Sequence, residues 1–380
     1  MENQIRALII LFKDYTHHGI ESYLNGLLPK LVERNVTPTL LVLGSIEASA
    51  RDFLTNAGVE VVTRPVHSGS SPIARLAKRR ARRIAIREVL SEGNFDVIHA
   101  NTSGPAYHHI ALTEAYRAGV PIRIPHGHSA DPQRNLHLRL LMPLYRRTIG
   151  KYATFLLACS EAAGLSLYGK KLWQTGGIIA KNGIDTHSFK PDQEARDNVR
   201  KGLEDAFLVG FVGRLAHEKN PSKLLGAFEA VLRIDPSAQL WLVGDGSLRK
   251  TLEQEAHDLG IAEHTVFWGS RKDVPSLLQG MDCLVMPSLF EGLPFSLLEA
   301  QAAGLPCIIS DTIDELAVIP GCPTVRLPLE ATNETWAQAI IEQRSRRIAD
   351  GASRVRDAGF DVRESSVLIE RLYRGIAPNR

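Results

Sequence analysis

Two glutamates, Glu291 and Glu299, bracket a short loop between an apolar run, Cys283-Leu-Val-Met286, and an alanine-rich stretch that ends at Gly304. The run has strand character and Pro287 ends it; Pro294 falls where a first helical residue is favoured, and Gly304 is a helix stop. Strand, tight loop and helix together present free N–H groups and a positive dipole end to an anion. Gly292 would let that backbone approach closely. Seven residues separate the carboxylates, so they do not share one proton. They can instead accept hydrogen bonds from hydroxyls at two places. A ligand with phosphate in the middle and hydroxyls at both ends, a nucleotide sugar, has that chemistry; a pair of solvated glutamates is the bland alternative.

A second group lies upstream. Strand Phe207–Val212 ends in Gly213, and Arg214 and Lys219 follow before the next helix. Cations at a strand's carboxyl end can clamp a diphosphate, Arg by forked contacts and Lys as a point charge, and can stabilise the diphosphate as it leaves. The chain holds no D-x-D carboxylate pair of the kind that fixes a divalent ion against phosphates, so no metal and no cofactor are expected. His17, His18, His108 and His109 have no metal-site spacing.

Glu291-x7-Glu299 with Gly292 and Pro294, Gly213-Arg-Leu215 with Glu218-Lys-Asn220, and Gly244-Asp-Gly246 together resemble the family-four retaining glycosyltransferases. The likeness is strong from about Phe207 to Asp311 and looser before it. It implies the GT-B architecture, α/β, with two Rossmann-like doubly wound domains facing across a cleft. It also implies residue roles. Arg214 and Lys219 would hold the donor phosphate, Glu299 the ribose and Glu291 the donor sugar. The backbone of Gly292, Leu293, Pro294 and Phe295 would lie beside the distal phosphate and sugar, and Arg271 would contact the base. Gly244-Asp-Gly246 is either a cleft-facing turn or a tight turn with Asp245 as its cap. In the first half, Gly19 opens a helix where related enzymes bring N–H groups near the donor phosphate, although His18 replaces the glycine that often precedes it. His126, in Pro125-His-Gly-His128, matches a histidine that bonds the donor sugar at the reacting centre, which makes His126 and Glu291 the expected catalytic residues.

His99-Ala-Asn, His126-Gly-His and Leu157-Ala-Cys-Ser-Glu most resemble members that build exopolysaccharide, capsule or O-antigen. The implied activity is retaining, metal-independent transfer from a nucleoside diphosphate sugar, a UDP-sugar above all, to a lipid-linked saccharide at the inner membrane face. The competing readings are another enzyme of the same fold, such as a nucleotide-sugar epimerase, or a non-catalytic basic protein that binds membrane surfaces.

These residues need elements to place them. From Ile5-Arg-Ala-Leu-Ile-Ile-Leu-Phe12 onward, apolar strands alternate with amphipathic helices, which predicts doubly wound parallel sheets with ligands at the strands' carboxyl ends. The expected division is a Rossmann-like acceptor domain at 1–180, a linker at 181–191, a Rossmann-like nucleotide-sugar domain at 192–358, and a last helix in 359–380 that crosses back to the first domain. The 380 residues, 44% hydrophobic and 23% charged, suit two soluble domains, and the longest apolar runs fall far below membrane-spanning length. Met1-Glu-Asn-Gln lacks the basic start of a signal peptide and the four cysteines form no C-x-x-C pair, so a cytoplasmic setting is expected.

Charge is uneven along the chain. Residues 1–180 carry 22 Lys and Arg against 13 Asp and Glu, a net +9, and the remaining 200 carry 23 against 29, a net −6. Much of the excess lies in Ser71–Arg87, which has seven cations and no acid. Helical spacing puts Ile73, Leu76, Ala77, Ala81 and Ile84 inward and Arg75, Lys78, Arg79, Arg82 and Arg83 outward. Such a helix suits an anionic membrane surface, with a peripheral location at the inner face of the cell membrane. A solvated face or a nucleic-acid patch are the other readings; no nucleic-acid module accompanies it, and no nucleic-acid partner is expected.

Overall fold

The computed structural model describes residues 4–15, 19–66, 72–102, 104–128, 136–291 and 293–378, without the side chains of 72, 73, 75 and 136–139. The chain forms two compact units, 1–183 with 362–380, and 184–361. In the first, β1 (Ile5–Leu11), α1 (Ile20–Val32), β2 (Val36–Val42), α2 (Ala48–Asn56) and β3 (Glu60–Thr63) are followed by α3 (Pro72–Glu92), β4 (Val97–Asn101) and α4 (Pro105–Arg117). β5 (Ile122–Gly127), α5 (Leu136–Tyr152), β6 (Leu156–Ala158), α6 (Glu161–Trp173) and β7 (Gly177–Ile179) complete the alternation.

The seven strands are ordered β3-β2-β1-β4-β5-β6-β7, all parallel. β1 is an interior strand, flanked by β2 and β4, and six of its seven residues are apolar and buried, as a strand covered on both faces requires. Strand order reverses between β1 and β4, whose register runs from Ala7 opposite Val97 to Leu11 opposite Asn101. Their carboxyl ends open the crevice where ligands of such sheets bind.

The second unit holds α7 (Gln193–Val199), β8 (Leu208–Val212), α8 (Pro221–Ile234), β9 (Gln239–Val243), α9 (Arg249–Asp258) and β10 (Thr265–Gly269). α10 (Val274–Gly280), β11 (Cys283–Met286), α11 (Phe295–Ala302), β12 (Cys307–Ser310), β13 (Thr324–Leu327), α12 (Asn333–Ile341) and α13 (Gly351–Asp357) follow. Its sheet order is β10-β9-β8-β11-β12-β13, with the reversal between β8 and β11. One core packs Phe207, Val209, Phe211 and Cys283 against Phe228, Leu252 and Trp336; the opposite face packs Leu208, Leu284 and Met286 against Leu277, Leu297 and Ala300.

α14 (Val362–Tyr373) belongs to the first unit. A Cβ added at Gly26 of α1 would lie 3.2 Å from Val362 Cγ2, and Arg34 Nε donates to Ser366 Oγ at 3.0 Å. Tyr373 is buried at the helix end.

α3 is rotated from its expected setting. Arg82 is buried at 5% exposure, whereas Leu76 is 69% and Ile84 44% exposed, and Ala77 is exposed too. The reason is the second half of the helix, where Ala85, Ile86, Val89 and Leu90 pack on Leu8, Ile10 and Ile98. That stripe, the heaviest on the helix, sets its rotation, and the helical repeat carried back from Ala85 and Val89 reaches Arg82 and Lys78. Arg82 and Lys78 therefore leave the outward set. Arg79 and Arg80 are exposed, Arg83 is half-buried beside Glu114 and His109, and the Arg75 side chain lies outside the described residues.

Candidate functional site

The loops after β8 and β11 flank the reversal point of the second sheet. Leu289 N donates to the Glu218 carbonyl at 2.8 Å and joins them. Lys219, on a short turn at His217–Lys219, forms an ion pair with Glu291, both side chains largely buried. Arg214 pairs with Glu218, an acid that stands in the sequence motif but was given no role there. Cations and carboxylate from segments some seventy residues apart thus meet at one sheet edge.

The Gly244-Asp-Gly246 turn is explained by backbone packing. Gly244 has φ 131°, and a Cβ there would lie 1.9 Å from the Gly213 carbonyl oxygen; at Gly246 it would lie 2.3 Å from that of Leu215. Leu215 N donates to Asp245 O at 3.0 Å, so the turn after β9 buttresses the loop that carries Arg214. Asp245 accepts from Gly246 N at 2.7 Å and pairs with Arg249 at 3.4 Å, which makes it the cap of a tight turn.

α11 begins one residue later than expected, with Pro294 as its N-cap at φ −74°, ψ 121°. Among the described residues no side chain caps the helix; Leu297 N and Leu298 N turn to the Pro294 carbonyl, and the N–H groups of Phe295 and Ser296 stay available. Pro294 is buried, Leu293 and Phe295 are half-buried, and Gly292 lies outside the described residues. Glu299, on the first turns of α11, is half-buried between the buried Leu298 and Ala300. Burial pushes its carboxyl up to about 7, and it makes no hydrogen bond or ion pair among the described residues. Its acceptor capacity is therefore unspent.

The loop leading to Glu291 is held by groups the sequence reading did not single out. Ser310 Oγ and Thr312 Oγ1 donate to the Ser288 carbonyl at 2.6 and 2.7 Å, and Asp314 N donates to Glu291 O at 3.4 Å. The available signal was a hydroxyl pair, Ser310 and Thr312, just past a strand's carboxyl end. Arg271 is turned to Asp273 at 2.6 Å, with its guanidinium 5.3 Å from the Trp268 ring centroid.

The first unit carries a histidine cluster. His99 of β4 stacks on His126 of β5 with ring centroids 5.3 Å apart, and His126 and His128 lie 4.0 Å apart. His99 Nδ1 meets the Tyr373 hydroxyl at 2.8 Å and its Nε2 meets His126 Nδ1 at 3.2 Å. His128 Nε2 bonds Asn101 Oδ1 at 2.9 Å. Burial lowers His126 well below the usual imidazole range and takes His99 and His128 to about 3, so all three are neutral at pH 7. His126 is fully buried and His128 half-buried. Gly19, the N-cap of α1, has φ 55° and open space where a Cβ would stand.

Among the described residues no group of His, Cys, Asp and Glu is arranged to hold a metal ion, and no helix is long and apolar enough to cross a membrane.

Residues 192–319 match the family model described as glycosyl transferases group 1, and residues 18–170 match a glycosyl transferase 4-like domain. The chain is 36% identical over 262 residues to EpsF of Bacillus subtilis, a protein named as a glycosyltransferase; the match covers 67% of this chain and 68% of that one. It is 29% identical over 238 residues to the UDP-Gal:alpha-D-GlcNAc-diphosphoundecaprenol alpha-1,3-galactosyltransferase of Escherichia coli, across 60% of this chain and 61% of that protein. Among solved structures, the Anabaena protein HepE in complex with UDP-glucose superposes with a TM-score of 0.75 at 20% identity, covering 98% of this chain and all of that one. WaaG, a glycosyltransferase involved in lipopolysaccharide biosynthesis, superposes at 0.66 with 18% identity over 97% of this chain and all of that one. At these identities the superpositions establish the fold.

Proposed function

The chain belongs to the group 1 glycosyltransferases, and from that premise we propose that it moves a hexose from a UDP-sugar to a lipid-linked saccharide, with retention and without a metal. The observation that carries this reading is the set of groups at the β8/β11 reversal: Arg214, Lys219 with Glu291, the uncapped start of α11, and the unpartnered Glu299. Arg214, Lys219 and the first N–H groups of α11 hold the diphosphate. Glu299 accepts the ribose hydroxyls and Glu291 the hydroxyls of the donor sugar. Arg271 lies near the base once it exchanges Asp273 for the ligand. Gly19 and His126 are assigned to the donor sugar and its phosphate, His126 through Nε2, the ring nitrogen that is not turned to His99.

In the transfer, the bond from the anomeric carbon to the diphosphate oxygen breaks and a bond to the acceptor hydroxyl oxygen forms on the same face. The hydroxyl proton passes to the departing diphosphate, whose growing negative charge Arg214 and Lys219 offset. The donor choice is supported by the UDP-glucose complex of HepE, and the acceptor class by the name of the E. coli relative. Attachment to an anionic membrane surface draws on Arg79 and Arg80, with Leu76 and Ile84 of α3 and Leu140 and Leu144 of α5 exposed beside further cations such as Arg147.

The test is a thermal-shift panel of UDP-, GDP-, ADP- and dTDP-sugars, followed by transfer assays with the ligand that stabilises. A UDP-sugar that stabilises the wild type and is transferred by it, but not by Glu291→Ala, is the expected result. Stabilisation by no nucleotide sugar would overturn the reading.

A further inference from the structure

The reversal point of the first sheet opens into a cavity of about 690 Å³, lined in part by Phe12, Lys78, Arg82 and Tyr107. Arg82 is the unusual group in it. The side chain is 5% exposed, yet no carboxylate lies within ion-pairing distance of it among the described residues. Its Nη2 donates to the Phe12 carbonyl at 3.2 Å, its guanidinium carbon lies 4.3 Å from the Tyr107 ring centroid, and its Nε has no partner. A buried charge left unbalanced is destabilising, so a buried guanidinium in this state implies an anion that completes it. Lys78, one turn earlier on α3, lines the same cavity; it makes no contact ion pair among the described residues, although its charge reaches the Asp14 carboxylate and helps to lower it.

The other charges at the cavity are already engaged. Asp14 accepts from Ser45 N at 2.7 Å and Ser45 Oγ at 2.8 Å, and Lys13 is paired with Glu21 at 2.7 Å. Arg82 therefore has no counter-charge among the described residues, and Lys78 is balanced only at longer range by Asp14, which leaves both cations able to turn to a ligand. Beside them Phe12 and Tyr107 stack with centroids 5.0 Å apart and planes 12° from parallel, which gives the cavity an apolar side. Two cations suit a phosphate or diphosphate better than a single carboxylate, and Arg matches its oxygens in a forked geometry.

We propose that this cavity binds the phosphate or diphosphate of a phosphorylated saccharide, the acceptor, with Arg82 and Lys78 on its oxygens. The assignment rests on the transferase reading above, because it names the chemistry of that enzyme's acceptor. The anion can come from a soluble sugar phosphate or from a lipid-linked diphosphate.

The experiment is calorimetric titration of pyrophosphate into the full chain with UDP present in excess, so that a diphosphate subsite in the second unit is filled. Pyrophosphate should bind the wild type, with affinity reduced at least tenfold in Lys78→Gln and in Arg82→Lys. Arg80→Gln, on the exposed side of α3, should bind as the wild type does, and all three variants should keep the wild-type thermal shift with UDP. Next, N-acetylglucosamine 1-phosphate and a phenoxyundecyl diphospho-N-acetylglucosamine are compared. Tighter binding of either one that is lost in Lys78→Gln supports the site, and the tighter of the two names the source. Absence of pyrophosphate binding, equal weakening by Arg80→Gln, or a preference for glucuronate overturns it. If UDP itself produces no thermal shift, the donor reading has failed, and the pyrophosphate titrations with the same variants still decide the cavity.

Discussion

Glu299→Gln separates a functional carboxylate from a structural one. In the folded protein burial raises this carboxyl from the ordinary 4.5 to about 7. A raised carboxyl pKa means that the folded state binds more proton than the unfolded state between those values, so stability falls as pH rises from 4.5 to 7 and stays low above it. At ~1.4 kcal/mol per pH unit the full cost is about 3.5 kcal/mol. Glu299 retains some accessible surface, and solvent screening lowers the figure towards ~1–2 kcal/mol. Glutamine keeps the shape and removes the charge. At pH 8 the variant should therefore be more stable than the wild type by that amount, and most of the gain should vanish by pH 5. Urea unfolding followed by tryptophan fluorescence reads it, because Trp241, Trp268 and Trp336 lie in the second unit and Trp173 alone in the first. The same change should weaken UDP binding at pH 8 by about 1.5–3 kcal/mol, the loss of hydrogen bonds to a charged acceptor. A variant destabilised equally at pH 5 and pH 8, or one that binds UDP as the wild type does, would refute the reasoning.

Lys219→Ala should reduce UDP affinity by roughly 10- to 100-fold and uridine affinity far less, since a charge-assisted contact to phosphate is worth about 1.5–3 kcal/mol; equal losses in calorimetry would move Lys219 away from the phosphates. Gly244→Ala should destabilise the second unit by more than about 2 kcal/mol, because its Cβ would collide with the Gly213 carbonyl; an unchanged unfolding midpoint would contradict the packing of the two loops. EDTA should leave transfer intact, and a loss restored by Mg²⁺ or Mn²⁺ would count against metal-free transfer. Leu76→Glu should weaken sedimentation with phosphatidylglycerol vesicles, as Leu76 is 69% exposed among cations; unaltered binding would remove α3 from the membrane-facing surface.

Much of the architecture was legible because it depends on short-range pattern. Ile5–Leu11 reads as a doubly covered strand from its apolar run, and the repeated change between strand and helix periodicity is enough to give two parallel sheets. Shorter or less apolar pieces escaped: β7 has three residues, and α7 has no buried side chain. The motif residues around Arg214 and Glu291 were also visible, since glycine, proline and charge recur there at the fixed spacings of strand–loop–helix joints.

The tertiary structure decided which of these groups meet and which way they point. Nothing in the sequence sets Lys219 against Glu291, because strand order, and not sequence distance, brings the loops after β8 and β11 to one edge. Periodicity on α3 allowed more than one apolar face, and the packing of Ile86 and Val89 on the sheet chose the face that buries Arg82. The spacing Pro125-His-Gly-His128 does not say that His126 is buried; β4 and α1 enclose it between His99 and Tyr23. Residue types and local spacing are written along the chain. Burial, pairing and the direction of a side chain arise from contacts between distant segments, and those exist only after the sheet has assembled.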